Sequence, residues 1–359
     1  MSTASGRLAS LGFDARFSSD FEAHRASGLA PGRVVAEHRG RLVVATLRGD
    51  VAAEASALLR RSDAPADRPS VGDWVGVREV FGGLARVEVV LPRRSAFVRA
   101  VAGGVTRPQV VAANVDVALV ACAIGEARTA RRLERYLTAV AASGAAPVVV
   151  LTKLDTVDDP SPSVREAESV AGGRPVLAVS AVTGEGIADV AAHLGEGVTA
   201  AIVGPSGAGK STLANRLLGG ARQEVSALAA DGRGRHTTTR RELLALPSGG
   251  AIVDTPGMRE LRLWDEGVDL GEVFDDVARL AEGCRFRDCR HEGEPGCAVR
   301  RAVDEGELDE GRLVSHAKLA AELALLAERK DARAVAEGRR RDRVFARAVR
   351  AKLRAKGRK

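Results

Sequence analysis

The strongest chemical signal in the chain is the run Gly204-Pro205-Ser206-Gly207-Ala208-Gly209-Lys210-Ser211, which fits the pattern G-x-x-x-x-G-K-[ST]. The apolar run 200–203 leads into it and a helix-compatible segment leads out, the strand, loop and helix setting that a phosphate-binding loop needs. Gly204 and Gly209 let the backbone wrap close to a phosphate, while the loop amides and the helix N-terminus bind the anion. The Lys210 ammonium would reach the β- and γ-phosphates, the Ser211 hydroxyl would offer an oxygen to Mg²⁺, and Thr212 completes the cradle.

A phosphate loop does not choose its base, but Thr152-Lys153-Leu154-Asp155, at the end of the apolar run 148–151, can do so. A carboxylate at the carboxyl end of a strand, here Asp155, accepts both the N1–H and the exocyclic amine of guanine, donors that adenine does not offer in that arrangement. Lys153 would lie along the base and ribose, and Thr152 would brace the loop. Ser180-Ala181 follows the run 176–179, where a backbone amide would meet the guanine O6. Asp254-Thr255-Pro256-Gly257 follows the run 251–253, so Asp254 would hold Mg²⁺ through water and the Gly257 amide would sense the γ-phosphate. In His236-Thr237-Thr238-Thr239 one threonine would coordinate Mg²⁺; Thr238 is favoured, with Thr237 and Thr239 as alternatives. Met258 stands where Ras-like enzymes carry a water-orienting glutamine, and a thioether cannot orient water. Slow intrinsic hydrolysis is therefore expected. The catalytic candidates are Lys210, Thr238 and His236, the last acting when a partner orders its loop; the alternative for His236 is an idle, solvated side chain.

A second centre of chemistry lies downstream. Cys284, Cys289, His291 and Cys297 offer three thiolates and an imidazole, the full tetrahedral set for one structural Zn²⁺. Four protein ligands leave no open coordination position, so such an ion would organise the fold rather than catalyse. A disulfide reading would strand a third clustered cysteine and ignore His291. Cys122, beside an apolar run, reads as a buried small hydrophobe.

These groups need a scaffold. Apolar runs at 115–121, 148–151, 176–179, 200–203 and 251–253 read as strands buried on both faces of a parallel sheet, with helices at 129–142, 186–194 and 210–218, an α/β arrangement. Upstream, short β-runs at 33–37, 41–48, 74–78 and 84–90, broken by Arg39-Gly40, Gly49-Asp50, Gly72-Asp73 and Gly82-Gly83, suit a small closed barrel, either an oligonucleotide-binding (OB) or an SH3-like one. Downstream, Leu319, Leu323 and Leu326 make 312–328 an amphipathic helix. The expected division is an N-terminal extension 1–30, a barrel 31–100, an α/β domain 101–264, a helical zinc-binding segment 265–328 and a basic helical tail 329–359.

The 359 residues carry a net charge of +7, divided as 0, +4, −8 and +11 over 1–30, 31–100, 101–328 and 329–359. The catalytic and zinc portion is thus acidic, and the basic character of barrel and tail points to a polyanionic partner. Four cysteines, three of them clustered, do not make a secreted disulfide framework and favour a reducing compartment. The first 30 residues contain no apolar core of signal-peptide length and no run approaches the roughly 18 apolar residues of a spanning helix, so a cytoplasmic protein without a membrane partner is expected.

In Ras-like GTPases the phosphate loop comes first. Here Thr152–Asp155 and Ser180-Ala181 precede it and Asp254–Gly257 comes last, so the domain reads as circularly permuted, a rearrangement that closely spaced domain termini tolerate. This order, with the Cys3His run behind it and a β-barrel before it, resembles the RsgA (YjeQ) family of circularly permuted, ribosome-dependent GTPases over essentially the whole chain, from Pro31-Gly32-Arg33 to the basic tail. The resemblance implies a multidomain chain: an OB-fold barrel, a permuted P-loop GTPase domain and a C-terminal helical zinc-binding domain. It also implies hydrolysis of GTP to GDP and phosphate in late small-subunit biogenesis, stimulated by the small ribosomal subunit, with contacts to its rRNA and release on hydrolysis. A hydrophobic residue after Gly257 is likewise the family's habit, and the chain is expected to act as a monomer. The barrel's aromatics, Trp74, Phe81 and Phe97, are too few for a base-stacking platform, so contacts there would be electrostatic, through some of Arg33, Arg39, Arg41, Arg60, Arg61, Arg93 and Arg94. The competing reading is a nucleic-acid-binding adaptor in which guanine nucleotide is structural.

Overall fold

Strands β1 (Ala30–His38), β2 (Arg41–Thr46), β3 (Gly49–Ala55), β4 (Trp74–Arg78) and β5 (Ala85–Val90) pair in the order β1-β2-β3-β5-β4, and β4 returns to β1. Their inward residues, among them Val34, Leu42, Val44, Ala53, Val75, Val77, Ala85 and Val87, are buried in one apolar core, and closure leaves no free edge. This is the closed five-stranded barrel expected of the OB fold. β3 departs from the sequence reading: Gly49-Asp50 is not a break but the start of a strand, because the turn falls at Leu47-Arg48 and Thr46 pairs with Gly49. The computed structural model describes residues 3–38, 40–62, 64, 67–80, 83–100, 108–126, 129–219, 241–254 and 270–328.

The first 30 residues have a packing role that their composition did not announce. Helix α1 (Thr3–Ser10) is followed by α2 (Ala15–Arg25), which the Asp14 carboxylate caps by accepting from the Arg16 and Phe17 amides at 3.1 and 3.2 Å. Leu8, Phe17 and Phe21 pack against Trp74 and Leu91, with the Phe13 and Phe17 rings 4.9 and 5.5 Å from the Trp74 ring. Trp74 is therefore covered from outside the barrel, and Trp74 and Phe97 are each 1% exposed, so neither offers a face to a base.

Of the seven arginines from which some RNA contacts are expected, three are engaged within the protein. Arg33 is 1% exposed and donates to the carbonyls of Gly72 (3.2 Å), Asn114 (3.1 Å) and Leu11. Burial lowers its pKa to about 10, and the Trp74 ring lies 5.2 Å beneath it. Arg93 clasps the buried Asp73 with two bonds of 2.7 Å, and Arg94 pairs with Asp14 and lies 4.3 Å over Phe17. For Arg33 and Arg93 a buried carbonyl or carboxylate needed a donor more than solvent did, whereas Arg94 pairs with an exposed carboxylate and packs on a ring.

The short helix α3 (Ala57–Arg61) follows β3 in the barrel, and beyond the barrel a hairpin of β6 (Ala96–Ala100) and β7 (Pro108–Ala113) leads to the α/β sheet. That sheet holds β8 (Val117–Ala123), β9 (Ala146–Thr152), β10 (Val176–Ala178), β11 (Thr199–Val203), β12 (Arg241–Ala245) and β13 (Ala251–Asp254), in the order β10-β9-β8-β11-β13-β12. All run parallel except β12. Helices α4 (Thr129–Ala141), α5 (Ser161–Ala171), α6 (Ile187–Ala192) and α7 (Lys210–Leu217) join the parallel strands, and β8 is buried on both faces as its uninterrupted apolar sequence requires. β12 continues the sheet into β1 of the barrel. Farther on, the helices Asp275–Ala281 and Ala298–Asp304 pack on each other and the helix 310–328 is bonded to α4, with Leu319 buried and Leu323 and Leu326 against the same core. Arg135 of α4 grips Glu322 with two bonds of 2.8 Å. No helix of the described residues is long and apolar enough to cross a membrane.

Candidate functional site

Parallel pairing brings the carboxyl ends of β9, β10, β11 and β13 to one edge of the sheet, and the sequence motifs sit on those ends. The loop after β11 turns at Gly204, whose φ is +143°. A Cβ there would lie 2.1 Å from the Ala121 carbonyl oxygen of neighbouring β8, so only glycine fits. Gly209, also left-handed at φ +70°, opens α7 at Lys210. The Lys210 ammonium donates to the Gly204 carbonyl at 2.7 Å and to that of Pro205, which folds it back over the loop. Ala208 is buried, whereas Ser206, Gly207, Ser211 and Thr212 face solvent.

The loop is fastened to the strand that carries the next motif. The Thr152 hydroxyl, 2% exposed, lies 2.8 Å from the Ala208 carbonyl and 3.2 Å from that of Cys122, so it ties β9 to both the phosphate loop and β8. Lys153 takes a left-handed conformation, φ +62°, which a non-glycine residue adopts only under constraint. It directs the chain into the 3₁₀ turn Leu154–Thr156. The Leu154 amide donates to Val179 at 3.0 Å, and the Ser180 hydroxyl donates to Asp155 Oδ1 at 2.5 Å. Ser180 also accepts the Thr183 amide at 3.0 Å, so Asp155 is held from the Ser180-Ala181 loop. Asp254 ends β13, beside the strand of the phosphate loop. His236, Thr237, Thr238, Thr239, Gly257, Met258 and the tail 329–359 lie outside the described residues. Cys122 is the buried small residue expected of it, its thiol pushed up to about 12 by burial.

The second cluster is compact. Cys284 Sγ lies 4.0 Å from Cys297 Sγ and 3.7 Å from His291 Nδ1, which is 3.4 Å from Cys297 Sγ, and all four ligand atoms, that of Cys289 included, fall within 4.8 Å of one another. A zinc tetrahedron has edges of about 3.8 Å between sulfurs and about 3.5 Å between sulfur and nitrogen, so donor set and spacing both fit. His291 reaches its place through a left-handed φ of +62°. Cys297 caps the helix Ala298–Asp304, its sulfur accepting the Arg300 amide at 3.3 Å. Burial works against ionisation of Cys284, yet the amides of Val299 and Ala298 and the neighbouring thiols outweigh it and lower its pKa. Burial, and then the thiols of Cys297 and Cys284, push Cys289 up to about 12; a divalent cation at the centre would reverse that.

Sequence reasoning did not find the residue that joins this segment to α4. Arg312, 6% exposed, donates to Glu134 of α4 (3.0 Å), to Asp276 through two bonds and to the Val273 carbonyl (2.9 Å), and lies 4.7 Å over Phe274. On the sequence it is one arginine among many in a helix, and only its burial distinguishes it.

A phosphate loop on the central strand, with the strands of Thr152–Asp155 and Ser180 earlier in the chain and that of Asp254 later, defines a circularly permuted P-loop GTPase. The RsgA GTPase family matches residues 90–264. The small ribosomal subunit biogenesis GTPase RsgA of Streptomyces coelicolor is 48% identical over 337 residues, 93% of this chain and 91% of that protein. The RsgA of Opitutus terrae is 45% identical over 90% of this chain and 92% of its own length. Among solved structures, YjeQ from Thermotoga maritima aligns with a TM-score of 0.63 at 28% identity, covering 82% of this chain and 99% of that one. YloQ, described as a circularly permuted GTPase, shares the fold at a TM-score of 0.61 and 22% identity over 82% of this chain and 95% of its own. The chain belongs to the RsgA family of GTPases.

Proposed function

We propose that this GTPase binds the small ribosomal subunit and its rRNA late in subunit biogenesis, hydrolyses GTP to GDP and phosphate when the subunit stimulates it, and leaves on hydrolysis. One observation carries the reading: the phosphate loop, Thr152–Asp155, Ser180-Ala181 and Asp254 meet at one sheet edge in permuted order, in a chain whose relatives bear the small-subunit name. In this reading Asp155 selects guanine, Lys153 and Leu154 line the base, and an amide of Ser180-Ala181 meets O6. Gly204 to Thr212 wrap the phosphates, with Lys210 on the β- and γ-oxygens. Ser211, Thr238 and, through water, Asp254 would hold Mg²⁺, which would draw off charge developing on the phosphates. The Gly257 amide senses the γ-phosphate, and His236 serves turnover once the subunit orders its loop. Cys284, Cys289, His291 and Cys297 hold one structural Zn²⁺. The barrel and the tail 329–359 are the basic surfaces toward rRNA. The protein works as a cytoplasmic monomer divided into extension 1–30, barrel 31–100, GTPase domain 101–264, zinc-binding segment 265–328 and tail.

The test is GTP turnover with and without purified small subunits. Turnover that rises sharply with subunits and vanishes in Lys210→Ala is the expected result. Subunit binding and cellular function that survive Lys210→Ala would instead favour a nucleic-acid-binding adaptor.

A further inference from the structure

Strand β1 serves both the barrel and the α/β part of one continuous sheet. Its first half, Ala30 to Arg33, closes the barrel against β4, and its end pairs with β12, Ala36 opposite Glu242 and Glu37 opposite Arg241. A bulge makes the change of partner possible: Val34 faces Val44 and Ala36 faces Val43 across β2, so Val35 is an extra residue. A bulge bends its strand and re-aims the residues beyond it. On the other side of β12, Glu242 lies opposite Asp254. One ladder therefore crosses from barrel to nucleotide edge, Ala36 to Glu242 to Asp254, a span of two strand spacings or about 10 Å. Among the described residues, two registered pairs join β12 to β1, and with them the Arg241 guanidinium meets the Glu37 carboxylate at 3.0 Å. Both side chains are largely sheltered, 13% and 25% exposed, so water screens this pair less than the surface pairs of the barrel.

The barrel has a second, separate attachment. The Ala113 amide donates to Val71, the Ser70 hydroxyl to Val110, and the Arg33 guanidinium to Asn114. These bonds fix one side of the barrel to β7 and the start of the α/β sheet, away from Asp254. A load on the barrel that turns it about this attachment bears on β12 and, through the β12–β13 ladder, on Asp254.

We propose that Arg241 and Glu37 are positioning residues for GTP hydrolysis: their ion pair locks β1 to β12, so that docking of the barrel on the small subunit is felt at Asp254. This rests on the proposed function of the chain as a subunit-stimulated GTPase. Neither side chain is placed at the nucleotide, and the pair acts only through the backbone of β12 and β13.

The experiment uses full-length, zinc-loaded protein as wild type, Glu37→Gln, Arg241→Gln and the exchange Glu37→Arg with Arg241→Glu. Intrinsic GTP turnover, turnover at saturating small subunits, the KM for GTP and the thermal midpoint are measured for each. Each single variant should keep intrinsic turnover and KM within about twofold while subunit-stimulated kcat falls about fivefold or more, the scale of a coupling between sites, and the exchange should regain most of the loss. Stimulated kcat that is unchanged in the single variants overturns the proposal. So does a parallel fall of intrinsic turnover, stimulated turnover and thermal midpoint, the mark of a merely structural pair, or an exchange that regains nothing. A wild-type chain whose turnover subunits do not raise would overturn the functional reading itself, and this inference with it.

Discussion

Arg312→Met tests the junction between α4 and the zinc-binding segment. Methionine keeps most of the length and apolar stem of arginine but removes the charge and the donors. Glu134, 1% exposed, would then be a buried carboxylate with no cation, and Asp276 and the Val273 carbonyl would lose the same guanidinium. Breaking a buried pair in this way costs about 3–5 kcal/mol, which for a unit of this size lowers the thermal midpoint by roughly 6–20 °C. The pH dependence gives a sharper test. Burial raises the pKa of Glu134 while Ser315 and Arg312 oppose it, so the folded value lies above the unfolded one. The folded protein then binds more protons within that interval, and the contribution of Glu134 to stability falls as pH rises through it. Without Arg312 the folded value climbs further. The loss caused by Arg312→Met should therefore be largest near pH 8 and shrink as the pH is lowered toward the ordinary carboxylate range, where Glu134 can fold as the neutral acid. Unfolding of the zinc-loaded protein, followed by circular dichroism across that range, measures it, and the double variant with Glu134→Gln should recover much of the stability near pH 8. A loss below about 1 kcal/mol, or one independent of pH, would refute the assignment of a buried, compensated charge.

Gly204→Ala forces a Cβ to within 2.1 Å of the Ala121 oxygen at a φ of +143°, so guanine-nucleotide binding should be lost in a fluorescent-GDP titration; backbone strain alone is about 1–3 kcal/mol. Thr152→Val removes the hydroxyl between Ala208 and Cys122 while keeping the shape, and should weaken nucleotide affinity about two- to tenfold, the worth of one such hydrogen bond. Unchanged affinity would show that the phosphate loop holds its shape without β9. Removal of zinc by a chelator should expose 280–300 to protease while leaving nucleotide binding in place; an unchanged digest would exclude a structural ion.

How legible each element was in the sequence depends on how local its signal is. The phosphate loop and its neighbours were readable because each motif is a strand end, and an apolar run such as 148–151 or 200–203 announces its own end. The cysteine and histidine cluster was readable because its ligands lie within one short loop. β12 was not: its sequence, Arg-Glu-Leu-Leu-Ala, is partly buried up to an exposed Ala245 and has neither the continuous apolar run of β8 nor the clear alternation of a half-buried strand. Arg33 and Arg312 were misread or passed over for a related reason. An arginine is assigned to the surface by composition, and only the fold shows that carbonyls of Leu11, Gly72 and Asn114, or carboxylates of Glu134 and Asp276, converge on one point and require a buried donor.

The permuted order gives the last parallel strand an unusual pair of neighbours. Among the described residues β13 is the last strand of the α/β sheet, and none after Asp254 returns to it as a parallel strand. The continuation is free to build a separate unit, and its next described residues, from Leu270 to Asp276, are the ones that Arg312 fastens to α4. Laterally, β13 pairs with β12, and β12 with the barrel. The strand that ends in Asp254 is thus joined along the chain to the zinc-binding segment and across the sheet to the barrel. In the unpermuted order the strand equivalent to β13 is succeeded by further parallel strands of the same sheet, which would occupy the chain on its C-terminal side. Moving the cut therefore leaves the fold of the sheet intact while giving the appended segment a direct covalent path to the nucleotide edge.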